Sequence, residues 1–344
     1  MTNIMDYLLE RIHGGIYGQA MGDAFAMPAM LTPRDTWERY GGWITCFLPA
    51  PDDHPAHFGL PAGKVTDDTE QAMALAEVFI AEGKVTPEGT AKAILQWYEQ
   101  ISGDDSPYVG PSTRRAITAI KRGEDIYSTG SQGDTNGCAM RVSPVGLIHP
   151  GDLESAVMDA YNSCIPTHHT DIAISGAAAV AGAIAVAMRE DSSLKEINDA
   201  GCQAADMGRN LGFRWMGASV SRRIRIAVEI AQSSLNERDR LQELYDVVGT
   251  SLAIQESVPA AFGVLNMAEG DPFQTAVFAA ALSGDADTVG AMACAIAGAW
   301  RGISAFKESH IHIIQQTNPE LNFEKVSLGL LKIAQTNLHT QSRN

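Results

Sequence analysis

A nearly continuous apolar segment at residues 172–188 restricts the possible folds of this chain more than any other feature. The segment is rich in Ala and Gly rather than Leu and Phe, and it falls short of the roughly 20 residues needed to cross a bilayer. Small side chains let helix backbones approach closely, and residues 291–299 form a second segment of this kind. We therefore predict two tightly packed interior helices and no membrane-spanning segment.

Helical spacing also dominates the rest of the sequence. Apolar residues recur at helical intervals in residues 72–80 and 91–98, and Gly83 follows the first run as a stop signal. Further helices are predicted at residues 114–122, 153–163, 194–209, 218–233 and 240–252. Runs of alternating Val, Ile and Thr are nearly absent, so strands should be few. The predicted fold class is therefore all-α, a compact multi-helix orthogonal bundle.

The composition and net charge of the chain indicate how many domains it has, which classes of partner it excludes and in which compartment it lies. No Ser, Pro or Gly-rich linker divides the sequence, which predicts a single domain over residues 1–344. A net charge of −16 would repel a phosphate backbone and argues against nucleic-acid binding. The five cysteines are odd in number and include no Cys-x-x-Cys pair, as is typical of free thiols in a reducing compartment. Because residues 1–13 also lack the apolar run of a signal peptide, we expect a cytoplasmic protein.

Three irregular stretches, residues 41–65, 102–112 and 130–146, are rich in Gly and Pro and are predicted to be loops. Loops held by a rigid scaffold often carry the functional groups of a protein. We therefore expect the chemistry of this chain to involve these three stretches.

The first acidic cluster is TDDTE at residues 66–70, directly before an apolar helical run. One interpretation is structural, because Thr66 can cap the helix and acids in the first turn favour the helix dipole. The second cluster, SGDADT at residues 283–288, places Asp285 and Asp287 before a helix that is nearly all small and apolar. Two carboxylates at this spacing exceed what a cap needs.

Buried charge must be neutralised, and no Lys or Arg lies between Phe273 and Trp300 to neutralise the second cluster locally. A metal ion would do so. Carboxylates and Thr hydroxyls are hard oxygen donors, which favour magnesium, manganese or calcium over zinc. The two clusters are thus predicted to share two cations, with one carboxylate bridging them, and a buried network of polar side chains is the alternative.

Together with three further motifs, these clusters resemble the ADP-ribosylglycohydrolase family from about residue 12 to residue 305. The motifs occur in the order typical of the family, and their combination is far more specific than any one of them. They are GQAMGDA at 18–24, TDDT at 66–69, NGCAMR at 136–141, TH at 167–168 and GDADT at 284–288.

This resemblance implies two divalent cations, Mg²⁺ or Mn²⁺, and a binding site for ADP-ribose. The ligands of one cation would be Thr66, Asp67 and Asp68, those of the second Asp285 and Thr288, and Asp287 would be shared. The substrate-binding residues would be Asn136, Gly137, Cys138, Ala139 and Met140, with backbone amides facing the phosphates, and His168. From the residues alone, 136–140 can equally be a structural turn, and His168 a hydrogen-bonded core residue or, with Cys138, half of a thiol–imidazole pair.

The sequence departs from the family pattern at two positions. Many members have a metal-binding, catalytic Glu seven residues after the equivalent of Asp23, where this chain has Met30. Some have an Asp after the equivalent of Gly110, where this chain has Pro111. The resemblance therefore assigns no residue of this chain as the general base.

The expected catalytic residues are Asp68, through an oxygen that binds no cation, and Asp287, which holds both cations. Asp35 and Glu38 are alternatives that would have to move in from their loop. A water bound to the cations is a further alternative that needs no separate base, because metal ions lower its pKa.

The sequence predicts a metal-dependent hydrolase that cleaves an N-glycosidic bond at the anomeric carbon of a ribose. ADP-ribosyl-arginine, possibly on a protein, is the first candidate substrate, and a small N-riboside is the second. The alternative is a non-catalytic ADP-ribose-binding protein, for which Met30 would be the signature.

Overall fold

A computed structural model describes residues 4–341, so the ends of the single domain predicted for 1–344 lie outside the described residues. The α-helices of the described part are α1 (Ile4–Ala26), α2 (Pro33–Tyr40), α3 (Asp67–Glu82), α4 (Pro87–Gln100), α5 (Pro111–Lys121), α6 (Ile126–Thr129), α7 (Ser143–Leu147), α8 (Leu153–Cys164), α9 (Asp171–Ala187), α10 (Leu194–Gly208), α11 (Val220–Ala231), α12 (Glu237–Glu243), α13 (Ile254–Met267), α14 (Pro272–Leu282), α15 (Ala286–Arg301), α16 (Glu308–Thr317) and α17 (Phe323–Gln341). The shorter turns are Met27–Ala29, Asn136–Cys138, Leu244–Val248 and Ile303–Ala305. Residues 4–341 form no strand, only two isolated bridges, so the predicted all-α fold is confirmed.

Most predicted helices are present, and the exception is informative. Residues 240–252 were expected to form one helix, but α12 ends at Glu243 and a π-helical turn covers Leu244–Val248. The chain then leaves the helix at Gly249, whose φ of 83° is accessible mainly to glycine. The segment after Gly249 forms part of a cavity wall.

The two segments rich in small residues form interior helices, as predicted. Every residue of α9 is buried, and the main hydrophobic cluster of the described residues extends from Leu8 on α1 to Ala334 on α17. None of the helices in residues 4–341 combines the length and the apolar character that spanning a membrane requires. The Ala and Gly content of α9 therefore serves close packing against its neighbours.

Three glycines of α1 allow its backbone to lie directly against the backbone of α15. A Cβ atom added at Gly18 would lie 2.1 Å from the carbonyl oxygen of Cys294. A Cβ added at Gly14 would lie 2.2 Å from the carbonyl oxygen of Gly298, and one added at Gly22 would lie 2.0 Å from that of Gly290. This contact fixes the end of α1 beside the start of α15, where the second acidic cluster lies.

Candidate active site

The fold brings the two acidic clusters together at the N-termini of α3 and α15. Asp68 lies in the first turn of α3, and its Oδ2 atom is 3.2 Å from the Thr66 hydroxyl oxygen. The hydroxyl oxygen of Thr288, in the first turn of α15, is 3.4 Å from the same Asp68 Oδ2 atom. Segments more than two hundred residues apart in sequence thus meet at one carboxylate.

Asp23, on α1, holds the start of α3 in place. Its carboxylate accepts hydrogen bonds from the backbone N–H groups of Thr66 and Thr69, at 3.0 Å and 3.2 Å. It also accepts from both hydroxyl groups, at 2.9 Å from Thr66 and 2.6 Å from Thr69. Thr66 occupies the N-cap position without capping through its own side chain. The simple capping interpretation of Thr66 is therefore wrong, because a carboxylate from another helix supplies the cap.

An Asp23→Ala substitution is expected to destabilise the protein by about 3 kcal/mol, because it leaves buried donors of Thr66 and Thr69 without acceptors. Chemical denaturation of the metal-free protein measures this effect. Glu38→Ala, which removes an exposed carboxylate, serves as the control and should leave the denaturation midpoint unchanged. Equal midpoints for the two variants would show that Asp23 does not hold α3.

A sharp turn before α15 positions the second cluster. Ser283 and Gly284 have φ values of 65° and 74°, and a Cβ added at Gly284 would lie 1.9 Å from the Thr250 hydroxyl oxygen. The Gly284 N–H donates to the Leu31 carbonyl at 2.9 Å, and the Asp285 N–H donates to the Thr250 carbonyl at 2.7 Å. Hydrogen bonds to two other segments thus hold the turn, and they fix the position of Asp285 in the site.

The clustered carboxylates are buried and poorly compensated. Burial and neighbouring carboxylates raise the pKa of Asp285, like that of Asp23, to about 7. The same causes raise the pKa values of Asp67 and Asp68 well above the ordinary value for Asp. Without a cation, the site therefore favours protonated carboxyl groups over the charged form.

One basic side chain, His57, contacts this cluster, with its Nε2 atom 3.0 Å from Asp287 Oδ2. Burial lowers the pKa of His57, but the hydrogen bond to Asp287 and its negative charge outweigh burial and raise the pKa to about 9. A single imidazole cannot balance the several carboxylates around it, so ionisation of all of them would require further positive charge.

The donor atoms fit hard divalent cations. Asp68 Oδ1 is buried and has no hydrogen-bond partner, although a buried carboxylate oxygen normally has one. Carboxylate and hydroxyl oxygens converge from Thr66, Thr288 and the surrounding Asp residues, which is a ligand set suited to Mg²⁺ or Mn²⁺. Within residues 4–341 no group of three or more His, Cys, Asp or Glu side chains is placed so that it could hold a metal ion. Hydroxyl groups, water and substrate oxygens would therefore have to complete the coordination.

The acidic cluster opens into a cavity of about 580 Å³. All three predicted loops contribute to its wall, through His57, Tyr108 and Asn136 among others. Sequence reasoning missed the segment between α12 and α13, which contributes Tyr245, Gly249, Thr250, Ser251 and Leu252. The signal that could have revealed it is the Gly-Thr-Ser turn directly after a helical run.

The predicted substrate loop lies partly on the cavity wall and partly behind it. Asn136, Gly137 and Met140 line the cavity, and Asn136 Nδ2 donates to Asp285 Oδ2 at 2.5 Å. Cys138 and Ala139 are buried and do not line it, because the loop turns inward after Gly137, where the Cys138 thiol contacts the Ala173 carbonyl at 3.5 Å. Their side chains therefore do not face a ligand in this arrangement.

His168 also lies behind the wall. A Cβ added at Gly137 would be 3.0 Å from His168 Cε1, so the ring supports the backbone that lines the cavity. Its two ring nitrogens are hydrogen-bonded to the hydroxyls of Thr167 and Thr135, at 2.7 Å and 3.1 Å, and burial holds its pKa well below the usual value. His168 is thus a neutral, hydrogen-bonded residue without a thiol partner, and its direct contact with a ligand stays a prediction.

The structure separates the candidates for the general base. Asp35 and Glu38 are exposed on α2, where they contact Thr32 and Arg34, and neither lines the cavity. Asp68 and Asp287 both line it. Asp35 or Glu38 would therefore have to move together with α2 to reach the site, and this alternative stays a prediction.

The two departures from the family pattern also lie at this cavity. Met30 and Pro111 both form part of its wall. Met30 follows the short turn Met27–Ala29 at the end of α1, close in sequence to Asp23. A thioether and a proline ring, neither of which can act as a base, therefore form the wall at these two positions.

Known proteins resemble this chain over nearly its whole length. The sequence model for ADP-ribosylglycohydrolase matches residues 5–336. Escherichia coli (strain K12) YegU is 36% identical over 95% of this chain and 98% of its own length. The Pseudomonas putida (strain GB-1) ADP-ribosylarginine hydrolase Tri1 is 28% identical, over 86% of this chain and 72% of its own.

A solved structure described as an ADP-ribosylglycohydrolase-related protein complex superposes with a TM-score of 0.69, covering 96% of this chain and 99% of its own. At 21% sequence identity this likeness concerns the fold, and it agrees with the family match that covers almost all described residues. The chain belongs to the ADP-ribosylglycohydrolase family.

Proposed function

We propose that the chain is a divalent-metal-dependent hydrolase that cleaves the N-glycosidic bond between a ribose and its leaving group. The supporting observation is that two acidic clusters, distant in sequence, meet at Asp68 beside a cavity of about 580 Å³. ADP-ribosyl-arginine is the first candidate substrate, because a relative over most of the chain is named an ADP-ribosylarginine hydrolase. A small N-riboside is the second.

The proposed ligands divide between the two clusters. Thr66, Asp67 and Asp68 would hold one cation, Asp285 and Thr288 the second, and Asp287 both. When bound, such a pair of cations orients ribose hydroxyls and lowers the pKa of a bound water molecule.

The chain's own residues would position the substrate and move the proton. Asn136 fixes Asp285 through a hydrogen bond and, with Gly137, offers backbone to the phosphates of ADP-ribose. Asp68 Oδ1, which has no protein partner, would accept a proton from the attacking water. The water oxygen then bonds to the anomeric carbon, the carbon–nitrogen bond breaks, and the proton passes to the leaving nitrogen.

Removal and restoration of metal tests this proposal. We expect protein treated with a chelator to release no free ADP-ribose from ADP-ribosyl-arginine, and added Mg²⁺ or Mn²⁺ to restore release. A small N-riboside is assayed in parallel to separate the two substrate candidates. Equal rates with and without the chelator would contradict the metal-dependent mechanism.

Met30 supports a second candidate function, a non-catalytic ADP-ribose-binding protein. Its side chain lines the cavity and cannot act as a base. Calorimetry with ADP-ribose and metal-loaded protein distinguishes the two functions. Tight binding without turnover of either substrate would favour the binder, whereas turnover would establish the hydrolase.

We also propose a cytoplasmic location and ADP-ribose-containing partners. All five cysteines are free, and four of them are buried. Such thiols are typical of a reducing compartment. The partner would be an ADP-ribosylated protein or a small riboside rather than a nucleic acid, because a net charge of −16 opposes polyanions.

A further inference from the structure

His57 is a buried imidazole that sequence reasoning did not select and that lies at the centre of the acidic site. The residue is 3% exposed, lines the cavity, and places Nε2 at 3.0 Å from Asp287 Oδ2. Its other ring nitrogen, Nδ1, is buried and has no hydrogen-bond partner. Met30 lines the same cavity, so an imidazole and a thioether share a space otherwise rich in carboxylates.

The loop that carries His57 is firmly held by His54. The backbone N–H groups of Ala56 and His57 donate to His54 Nδ1, at 3.2 Å and 2.8 Å. Because Nδ1 accepts, the ring proton of His54 is on Nε2, which donates to the Met27 carbonyl at 2.9 Å. The Tyr108 ring packs against His57 with the centroids 5.4 Å apart. The imidazole of His57 is therefore presented in a fixed position.

We propose that His57 binds, through Nε2, the cation that Asp287 binds. This inference rests on the proposed metal-dependent function. Two ligands at about 2.1 Å from one ion, at right angles to each other, lie about 3.0 Å apart. The 3.0 Å between His57 Nε2 and Asp287 Oδ2 matches this separation. A cation could therefore replace the proton between these two atoms with little movement of either side chain.

A nitrogen ligand changes which cations the site prefers. Mg²⁺ and Ca²⁺ bind oxygen almost exclusively, whereas Mn²⁺ and later divalent metals accept imidazole more readily. His54 cannot add a second nitrogen, because its Nδ1 and Nε2 atoms are both engaged. The expected site thus has one nitrogen among oxygens, and we expect Mn²⁺ to bind more tightly than Mg²⁺.

The competing interpretation is that His57 only neutralises Asp287 and thereby opposes a cation. The two interpretations predict opposite effects of removing the ring. If His57 is a ligand, His57→Ala weakens Mn²⁺ binding by about tenfold or more. If it is a competing positive charge, the same substitution strengthens Mn²⁺ binding.

The deciding experiment is pulsed electron paramagnetic resonance on the full chain loaded with Mn²⁺ alone, together with titration of Mn²⁺ affinity. We expect ¹⁴N coupling from a directly bound imidazole in the wild type and in His312→Ala, which removes an exposed histidine of α16. In His57→Ala the coupling should disappear and Mn²⁺ affinity should fall. The wild-type spectrum by itself remains decisive if the variant does not fold.

Two outcomes would overturn the inference while leaving the metal-dependent function intact. One is bound Mn²⁺ without nitrogen coupling in the wild type, and the other is tighter Mn²⁺ binding by His57→Ala. Failure of the wild type to bind Mn²⁺ or Mg²⁺ would instead overturn the proposed function, and with it the role of His57.

Discussion

An Asp287→Asn variant is expected to lose cation binding at both positions and to lose at least about 10³-fold in the rate of ADP-ribose release. Asp287 is the residue proposed to bind both ions; it contacts His57, and its charge helps to raise the pKa of Asp68. A carboxylate can bridge two cations because its two oxygens share a negative charge, whereas an amide has only one oxygen and no charge. Isothermal titration with Mn²⁺ and the release assay measure the two losses separately.

The same variant should remain folded, which separates a lost ligand from a lost structure. The charge of Asp287 raises the pKa values of Asp23, Asp68 and Asp285, so the metal-free protein is relieved of repulsion when this charge is removed. This relief opposes the loss of the charged partner of His57, so we expect its thermal midpoint without metal to stay close to that of the wild type. The exposed Asp35→Asn variant serves as the matched control for both assays. Unchanged turnover and metal stoichiometry in Asp287→Asn would refute the two-cation proposal.

A Gly18→Val variant is expected to lose about 4 kcal/mol of stability or to fail to fold. A Cβ at this position would lie 2.1 Å from the Cys294 carbonyl oxygen, and backbone cannot move aside as a flexible side chain can. Separating α1 from α15 would also move Asp23 away from the start of α15. Chemical denaturation gives the loss of stability, and Mn²⁺ titration tests whether any folded fraction still binds metal.

Gly110→Ala is the control for the glycine experiment. Gly110 has an ordinary φ of −58°, and an added Cβ would meet no atom within 4 Å. Its stability should stay within about 1 kcal/mol of the wild type, because Ala restricts the unfolded chain but is a poorer N-cap for α5 than Gly. Equal stability of Gly18→Val and Gly110→Ala would contradict the close contact of α1 with α15.

Much of the fold and part of the site could be predicted from local sequence. The apolar, small-residue character of residues 172–188 predicted a buried helix, because helix burial depends on composition and periodicity within one segment. Asp68 and Asp287 were selected because carboxylates before apolar helices need compensation. The helix expected at 240–252 is interrupted, because Gly249 has a positive φ and lies close to the Glu256 side chain, neither of which the helical spacing reveals.

Contacts between residues that are far apart in sequence could not be predicted from local sequence patterns. Nothing near Asp23 in sequence indicates that it caps α3, which begins more than forty residues later. His57 is an isolated histidine in an irregular loop, and only folding places it against Asp287. The position of His168 behind Gly137 likewise depends on tertiary contacts.

The sequence by itself determined the helical class and the interior helices, because these depend on periodicity and composition within short segments. Only the tertiary structure decided which carboxylate oxygens converge, which loop residues face the cavity and which base accompanies the acids. Those properties depend on the approach of α1 to α15 through Gly18 and on the turn at Gly284. They are set by distances between atoms far apart in the chain, which local patterns do not encode.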